Sequence, residues 1–366
     1  MGLTAGIVGL PNVGKSTLFN AITQSQVEAA NYPFATIQPN VGVVEVPDYR
    51  IEDITAIFKP RKTIYTTFEF TDIAGLVKGA SKGEGLGNQF LSHIRQTDAI
   101  CEVVRCFDDV NITHVEGSVD PIRDIEIINL ELIMADLQSI ENRIAKVERK
   151  AQAKDKEAQV EYNVLLKVKT ALEAGKPTRS LELNKNEEKI LSTFQLLTSK
   201  PIIYIANMSE DMIGDPSTNK HYQRVMEYAQ NEKSEIIPIC AQIEMELSSL
   251  SKDDRKIFLQ DLGIKESGLD QVIKSAYQIL GLKTFFTAGE PEVRAWTFKD
   301  GMVAPECAGI IHSDFQRGFI RAETYSYEDL IVYRSETAIK QAGKMRLEGK
   351  EYVVKDGDIM HFLFNV

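Results

Sequence analysis

The chain opens on a short apolar run, Thr4-Ala5-Gly6-Ile7-Val8, which predicts a strand. A glycine-rich loop follows, and Leu18-Phe19-Asn20-Ala21-Ile22 then opens a helix. Residues 41–46 predict a second strand. Residues 63–73, alternating through Tyr65, Thr67 and Glu69, predict a third. Five glycines between Gly75 and Gly87 exclude a regular element there. Residues 90–97 read as helix and residues 99–107 as a buried strand. Strands separated by helical stretches imply βαβ units and a mostly parallel sheet.

That rhythm stops near Asp124. Leu130, Ile133, Leu137, Ile140, Ile144, Val147 and Ala151 recur at alternating steps of three and four, a heptad seam. Lys154-Asp155-Lys156 is a polar tip, and Val160, Val164, Val168 and Leu172 supply a returning helix that Gly175-Lys176-Pro177 ends. An antiparallel helical hairpin follows from this, with a further helix at residues 187–197. The strand pattern resumes at residues 201–206 and 236–240, so the hairpin is an insertion. From Gly281 short strand-like runs at 293–297, 319–322 and 359–364 stand among Gly and Pro, a small α+β domain. The expected fold class is α/β. A P-loop domain with a mostly parallel sheet occupies residues 1–124 and 200–280, the hairpin 125–199, and the last domain 281–366.

The 366 residues are 43% hydrophobic and 26% charged, an ordinary soluble balance. The net charge of −11 excludes coating nucleic acid by bulk charge, so any such contact needs a local basic patch, and no DNA specificity is evident. The four cysteines, Cys101, Cys106, Cys240 and Cys307, have no C-x-x-C spacing, which argues against zinc or a disulfide framework. No apolar run reaches membrane-spanning length and no leader pattern precedes the first strand. The expectation is a cytoplasmic protein without a membrane partner, and a monomer for lack of a self-complementary patch.

Gly9-Leu10-Pro11-Asn12-Val13-Gly14-Lys15-Ser16-Thr17 is G-x-x-x-x-G-K-[ST] between a strand and a helix. The glycines let backbone N–H groups wrap a phosphate, and the helix N-terminus favours its charge. Asn12, Val13, Gly14 and Thr17 therefore contact nucleotide, Lys15 bridges β- and γ-phosphates, and the Ser16 hydroxyl holds Mg²⁺. Asp72, closing a strand in Asp72-Ile73-Ala74-Gly75, is a second candidate Mg²⁺ ligand, with the Gly75 N–H toward the γ-phosphate. Thr36 is either an ordinary loop residue or a switch hydroxyl on the same metal. Leu76 stands where many switch GTPases carry a water-orienting Gln. His114 is either a surface residue or a polar group able to swing toward the phosphates in its place.

Asn207-Met208-Ser209-Glu210 stands where guanine-specific proteins carry Asn-Lys-x-Asp. There the Asp accepts from two guanine donors. Glu210 is one methylene longer, and Met208 replaces the stacking Lys. The guanine clamp is misplaced, whereas adenine offers one donor, its exocyclic amine, which a pocket of backbone carbonyls and Asn207 could suit. Asn207, Met208 and Glu210 are therefore candidate nucleotide-binding residues, and ATP is expected to bind at least as well as GTP. Near the hairpin tip, Arg143, Lys146, Arg149, Lys150, Lys154 and Lys156 outweigh Glu148 and Asp155. That cluster is either a solvated face or a contact for RNA phosphates.

Taken with Asn31-Tyr32-Pro33-Phe34-Ala35-Thr36 and Ser81-Lys82-Gly83-Glu84-Gly85-Leu86-Gly87-Asn88-Gln89-Phe90, these motifs closely resemble the YchF or Obg-like ATPases. Val354-Lys355-Asp356-Gly357-Asp358 extends the resemblance to the C-terminus. It implies a G domain, a coiled-coil insertion and a C-terminal TGS domain of β-grasp form. It also implies Mg²⁺-dependent ATP hydrolysis to ADP and phosphate, association with ribosomes, and links to translation and stress responses. Asn12 matches the residue that coordinates K⁺ in related potassium-activated members, which makes K⁺ a candidate second cofactor. Three other readings remain open: a GTP-driven ribosome-assembly factor, a binding switch governed by nucleotide occupancy, and a metabolic kinase, for which no segment suggests an acceptor pocket.

Overall fold

The computed structural model describes residues 3–25, 40–73 and 86–365. Twelve strands arise among them: β1 Thr4–Val8, β2 Val41–Glu45, β3 Lys62–Ile64, β4 Thr67–Asp72, β5 Ala99–Arg105, β6 Ile202–Asn207, β7 Glu235–Ile239, β8 Leu282–Ala288, β9 Glu292–Lys299, β10 Phe319–Ser326, β11 Arg346–Glu348 and β12 Asp358–Phe364. The described residues divide into two compact units, 3–25, 40–42, 69–73 and 86–272 in the first, 43–68 and 273–365 in the second.

The first six-stranded sheet has the order β2-β4-β1-β5-β6-β7. Its β4–β1, β1–β5, β5–β6 and β6–β7 pairs are all parallel. β5 and β6 are buried at every position, as strands covered on both faces must be. The expected mostly parallel sheet is present.

The hairpin is built from helices Pro121–Gln152 and Lys156–Glu173. Pro121 sits at the start of the first, where its missing N–H costs nothing. Lys154 takes a positive φ of 65° in the turn, and Asp155 caps the returning helix by accepting from Ala158 N at 3.0 Å. Ile133, Ile140, Val164, Leu165, Val168 and Leu172 form the shared core, with Leu137 and Ile144 half-buried against it. Leu130 departs from the seam and is 57% exposed. Around it the long helix packs on β5 and on helix Lys220–Glu232, burying Ile125, Ile128 and Leu132 instead. A strict heptad reading misses this change of facing side. The further helix runs over Lys185–Ser192, capped by Asn184 and Glu187 as a reciprocal box.

The second sheet has the order β11-β10-β12-β8-β9-β3. Phe285 and Phe286, adjacent on β8, belong to different core clusters, one per face. One face packs on Ile51 and Ile54 of helix Tyr49–Phe58, the other on Ala304, Cys307 and Ala308 of helix Ala304–Ile311. Two sequence expectations change here. The single strand expected over 63–73 is two strands, β3 pairing with β9 and β4 with β1. Residues 43–68 belong to the second unit, although the sequence places them in the first domain. Alternation reports which residues alternate faces and is silent about which sheet receives them.

Candidate nucleotide site

β1 ends at Val8 and the loop turns into helix Lys15–Gln24. A Cβ on Gly9 would lie 2.8 Å from the Val103 carbonyl oxygen, so only glycine lets the loop lie against β5. Gly14 has φ +97°, and a Cβ there would meet Asn207 Nδ2 at 2.1 Å. No side chain caps this helix and its first turn carries no acidic residue. Its leading N–H groups are thus left for an anion, as the phosphate-loop reading requires.

Asn207, at the end of β6, is buried. Its Nδ2 donates to the Val13 carbonyl at 2.8 Å and its Oδ1 accepts from Ala241 N at 3.0 Å. The amide therefore pins the phosphate loop to helix Ala241–Ser248. Met208 is 2% exposed, with its N–H on the Ile239 carbonyl. A side chain so enclosed does not offer the outer stacking surface of a lysine stem. Glu210 is exposed at the first position of helix Glu210–Ile213.

The β1–β4 register sets Ile7 beside Asp72, so the carboxylate emerges next to the loop. Lys15 Nζ and Asp72 Oδ1 form an ion pair, with side chains 11% and 21% exposed. Ser16 is exposed one residue away. A hydroxyl and a carboxylate are hard oxygen donors of the kind Mg²⁺ takes in phosphate sites. Among the described residues no group of three or more His, Cys, Asp or Glu gathers.

Asn12, with φ 64°, donates from Nδ2 to the Thr113 carbonyl at 3.1 Å. This joins the phosphate loop to the segment after β5. Arg105, 1% exposed, fixes that segment from beneath. It donates to the carbonyls of Phe107 (3.1 Å), Ile112 (3.0 Å) and Asp109 (3.3 Å), and stacks on the Phe107 ring. The sequence placed Arg105 in a buried strand without giving it a role. A permanent charge inside an apolar strand was the available signal.

His114 is neither a surface residue nor free to swing in this arrangement. Its side chain is 3% exposed, with Nε2 2.8 Å from Asp124 Oδ2 and Nδ1 accepting from Glu116 N at 3.1 Å. Arg123 Nη2 binds the other Asp124 oxygen at 3.2 Å. Asp124 lies in the first turn of the long hairpin helix. The ring thus ties the segment carrying Thr113 to that helix. Asp124 and Arg123 went unread in the sequence, because a lone acid near a helix start resembles a cap. Thr36, Gly75 and Leu76 lie outside the described residues.

Deeper in the first unit, Arg179 Nη2 donates to Asn129 Oδ1 (2.9 Å) and Glu232 Oε2 (3.2 Å), and Tyr204 OH to Glu232 Oε2 (2.7 Å). Burial pushes the nearby Glu102 carboxyl well above its usual range, and its Oε2 has no hydrogen-bond partner. Burial also raises the Cys101 thiol to about 12, which keeps it protonated and unreactive.

The family model MMR_HSR1, described as "50S ribosome-binding GTPase", matches residues 4–131. YchF-GTPase_C, described as "Protein of unknown function (DUF933)", matches residues 282–365. A Bacillus subtilis (strain 168) protein named Ribosome-binding ATPase YchF is 63% identical over 366 residues, 100% of both chains. The chain belongs to the YchF family. An Escherichia coli O157:H7 member of the same name is 53% identical over 100% of both chains. The solved Schizosaccharomyces pombe YchF GTPase matches with a TM-score of 0.90 at 40% identity, covering 99% of this chain and 97% of that one. The resemblance read from the motifs is borne out, and so is the α/β fold class. In this YchF-family chain the GTPase model spans the phosphate loop, Asp72 and His114, while Asn207, Met208 and Glu210 lie beyond it.

Proposed function

We propose that the chain is a slow, Mg²⁺-dependent ATPase that prefers ATP to GTP and works in association with the ribosome. The observation that carries the reading is the phosphate loop, held by Asn207 and set beside the Lys15–Asp72 pair. Backbone N–H groups from Val13 to Thr17 cradle the β-phosphate. The Lys15 ammonium exchanges the Asp72 carboxylate for β- and γ-phosphate oxygens. Ser16, Asp72 and Thr36 are the oxygen donors that would hold Mg²⁺. When bound, the metal neutralises charge developing on the phosphates. The oxygen of water bonds to the γ-phosphorus as the γ-phosphorus–oxygen bond to ADP breaks, and that oxygen keeps the electron pair. The water proton passes to solvent, and the Gly75 N–H supports the γ-phosphate. Asn12, whose Nδ2 is held by the Thr113 carbonyl, would offer its side-chain oxygen to K⁺.

Adenine preference rests on Met208 and Glu210. An enclosed methionine and a glutamate at an exposed helix start do not rebuild the two-donor contact that selects guanine. The GTPase wording of the matched model and of the yeast structure favours a GTP-using reading. Ribosome association follows the names of the relatives. The basic hairpin tip supplies the contact for ribosomal RNA. Among the described residues no helix is long and apolar enough to cross a membrane.

Hydrolysis of ATP and GTP by the purified chain, with and without ribosomes, tests this. The expected result is higher kcat/KM for ATP, stimulation by ribosomes, and loss of both activities in Lys15→Ala. Higher kcat/KM for GTP overturns the base assignment, and nucleotide binding without turnover overturns the ATPase.

A further inference from the structure

Two neighbouring strand ends serve the phosphate loop, and only one of them touches it. In the β5–β6 register Arg105 lies opposite Asn207. Asn207 grips the loop directly, through the Val13 carbonyl. Arg105 is instead wrapped by the segment that follows it. Among the described residues its three guanidinium hydrogen bonds go to the carbonyls of Phe107, Asp109 and Ile112, and none to a carboxylate. Burying a cation without a counter-charge is costly, and a hydrocarbon side chain would fill a strand end at less expense. What the cation adds is shape, because its planar fork fixes three carbonyls in one arrangement. Residues 106–113 form neither helix nor strand. Within them a turn forms, with Ile112 N on the Asp109 carbonyl at 3.3 Å and Asn111 N on Asp109 Oδ1 at 2.8 Å. The guanidinium ties that turn back to β5.

The segment so fixed makes one contact with the phosphate loop. The Thr113 carbonyl, next after Ile112, accepts from Asn12 Nδ2 at 3.1 Å. Asn12 is exposed and has a left-handed backbone, φ 64°. Asn tolerates that conformation, and the bond to Thr113 selects it. We propose that Arg105 is a positioning residue for nucleotide binding. It sets the Thr113 carbonyl, which sets Asn12 and with it the Val13 N–H that opens the phosphate cradle. Asn207 and Arg105 thus hold the two sides of one short stretch, Asn12 to Gly14, from facing ends of adjacent strands. The proposal rests on the phosphate-loop reading above. A cation acting on the phosphates only through its field would need neither Thr113 nor Asn12.

The test titrates fluorescent mant-ADP and mant-GDP against the full chain. Using both bases keeps a wrong base assignment from counting as failure here. A parent that binds neither overturns the phosphate-loop reading and this proposal with it, whereas every other failure falls on Arg105 alone. Asn12→Ala, at an exposed position, and Arg105→Met are each expected to raise Kd by about threefold or more, the worth of one hydrogen bond. Adding Asn12→Ala to Arg105→Met is expected to change Kd no further, because both break one chain of contacts. Arg105→Lys keeps the charge without the fork and is expected to bind as poorly as Arg105→Met. Phe107→Leu removes only the ring stacked on the guanidinium and reaches the same segment if Arg105→Met unfolds. It is expected to weaken binding in the parent and to have no effect beside Asn12→Ala. Circular dichroism checks folding throughout. Effects that multiply in the double variants overturn the proposal and leave Arg105 a general support or a direct field. Parent affinity in Arg105→Met or in Arg105→Lys overturns it as well.

Discussion

At Gly14 two constraints coincide: a left-handed backbone and an amide nitrogen 2.1 Å from where a methyl group would stand. Gly14→Ala is expected to cost about 1–3 kcal/mol from the backbone alone and to displace Asn207 from the Val13 carbonyl. Nucleotide binding should be lost while the chain stays folded. Calorimetric titration and a thermal melt check both halves, and wild-type affinity in Gly14→Ala would contradict the geometry. The motif made this residue legible. The double duty of Asn207 was not, since a sequence gives an amide at a strand end without the two backbones it faces. His114 shows the same limit. Its ring nitrogens are both engaged, and His114→Ala leaves a buried Asp124 oxygen short of a partner. We expect a loss of about 1–3 kcal/mol in denaturant unfolding. Unchanged stability combined with lost turnover would instead mean that the ring leaves Asp124 to act on the nucleotide.

Strand β5 shows how an element holds a group against its chemistry. Glu102 is fully buried there and its carboxyl resists ionisation. Below the ordinary carboxyl pKa the group is protonated both folded and unfolded, so its contribution is complete. As pH rises the unfolded chain ionises first, and stability falls until the folded pKa is passed. Glu102→Gln is therefore expected to melt above the parent at about pH 8 and to lose that advantage by about pH 4. Melts across that range decide it, and a parent more stable than the variant at high pH would reverse the sign. Periodicity gave the hairpin's seam because buried stripes repeat, yet it misplaced Leu130 and Val160 for different reasons. Leu130 lies where the helix changes the face it buries, and Val160 lies off the facing side, where Ala158 and not Val160 packs on Val147 and Ala151. Helix Tyr49–Phe58 went unread, though Ile51, Ile54 and the capping Asp48 carry its signal.

On the scale of the molecule, the uneven distribution of charge makes the sharpest expectation. Negative charge dominates the chain, so ribosomal RNA should meet general repulsion and one local attraction at the hairpin tip. The order of the parts was legible, because a motif, a seam and a composition shift each mark a stretch of sequence. Membership of residues 43–68 in the second unit was not, because strand partners lie far apart in sequence. Lys146, Arg149 and Lys150 are exposed cations on the last turns of the long helix, away from the nucleotide site in sequence. Reversing all three to Glu should weaken ribosome co-sedimentation at low salt and leave basal ATP hydrolysis unchanged. Each cation that neutralises a phosphate releases counterions, so the slope of log affinity against log salt should become shallower by about 2. If binding falls without a change in slope, the tip touches ribosomal protein. If neither moves, the ribosome is engaged elsewhere and the basic tip is a solvated face.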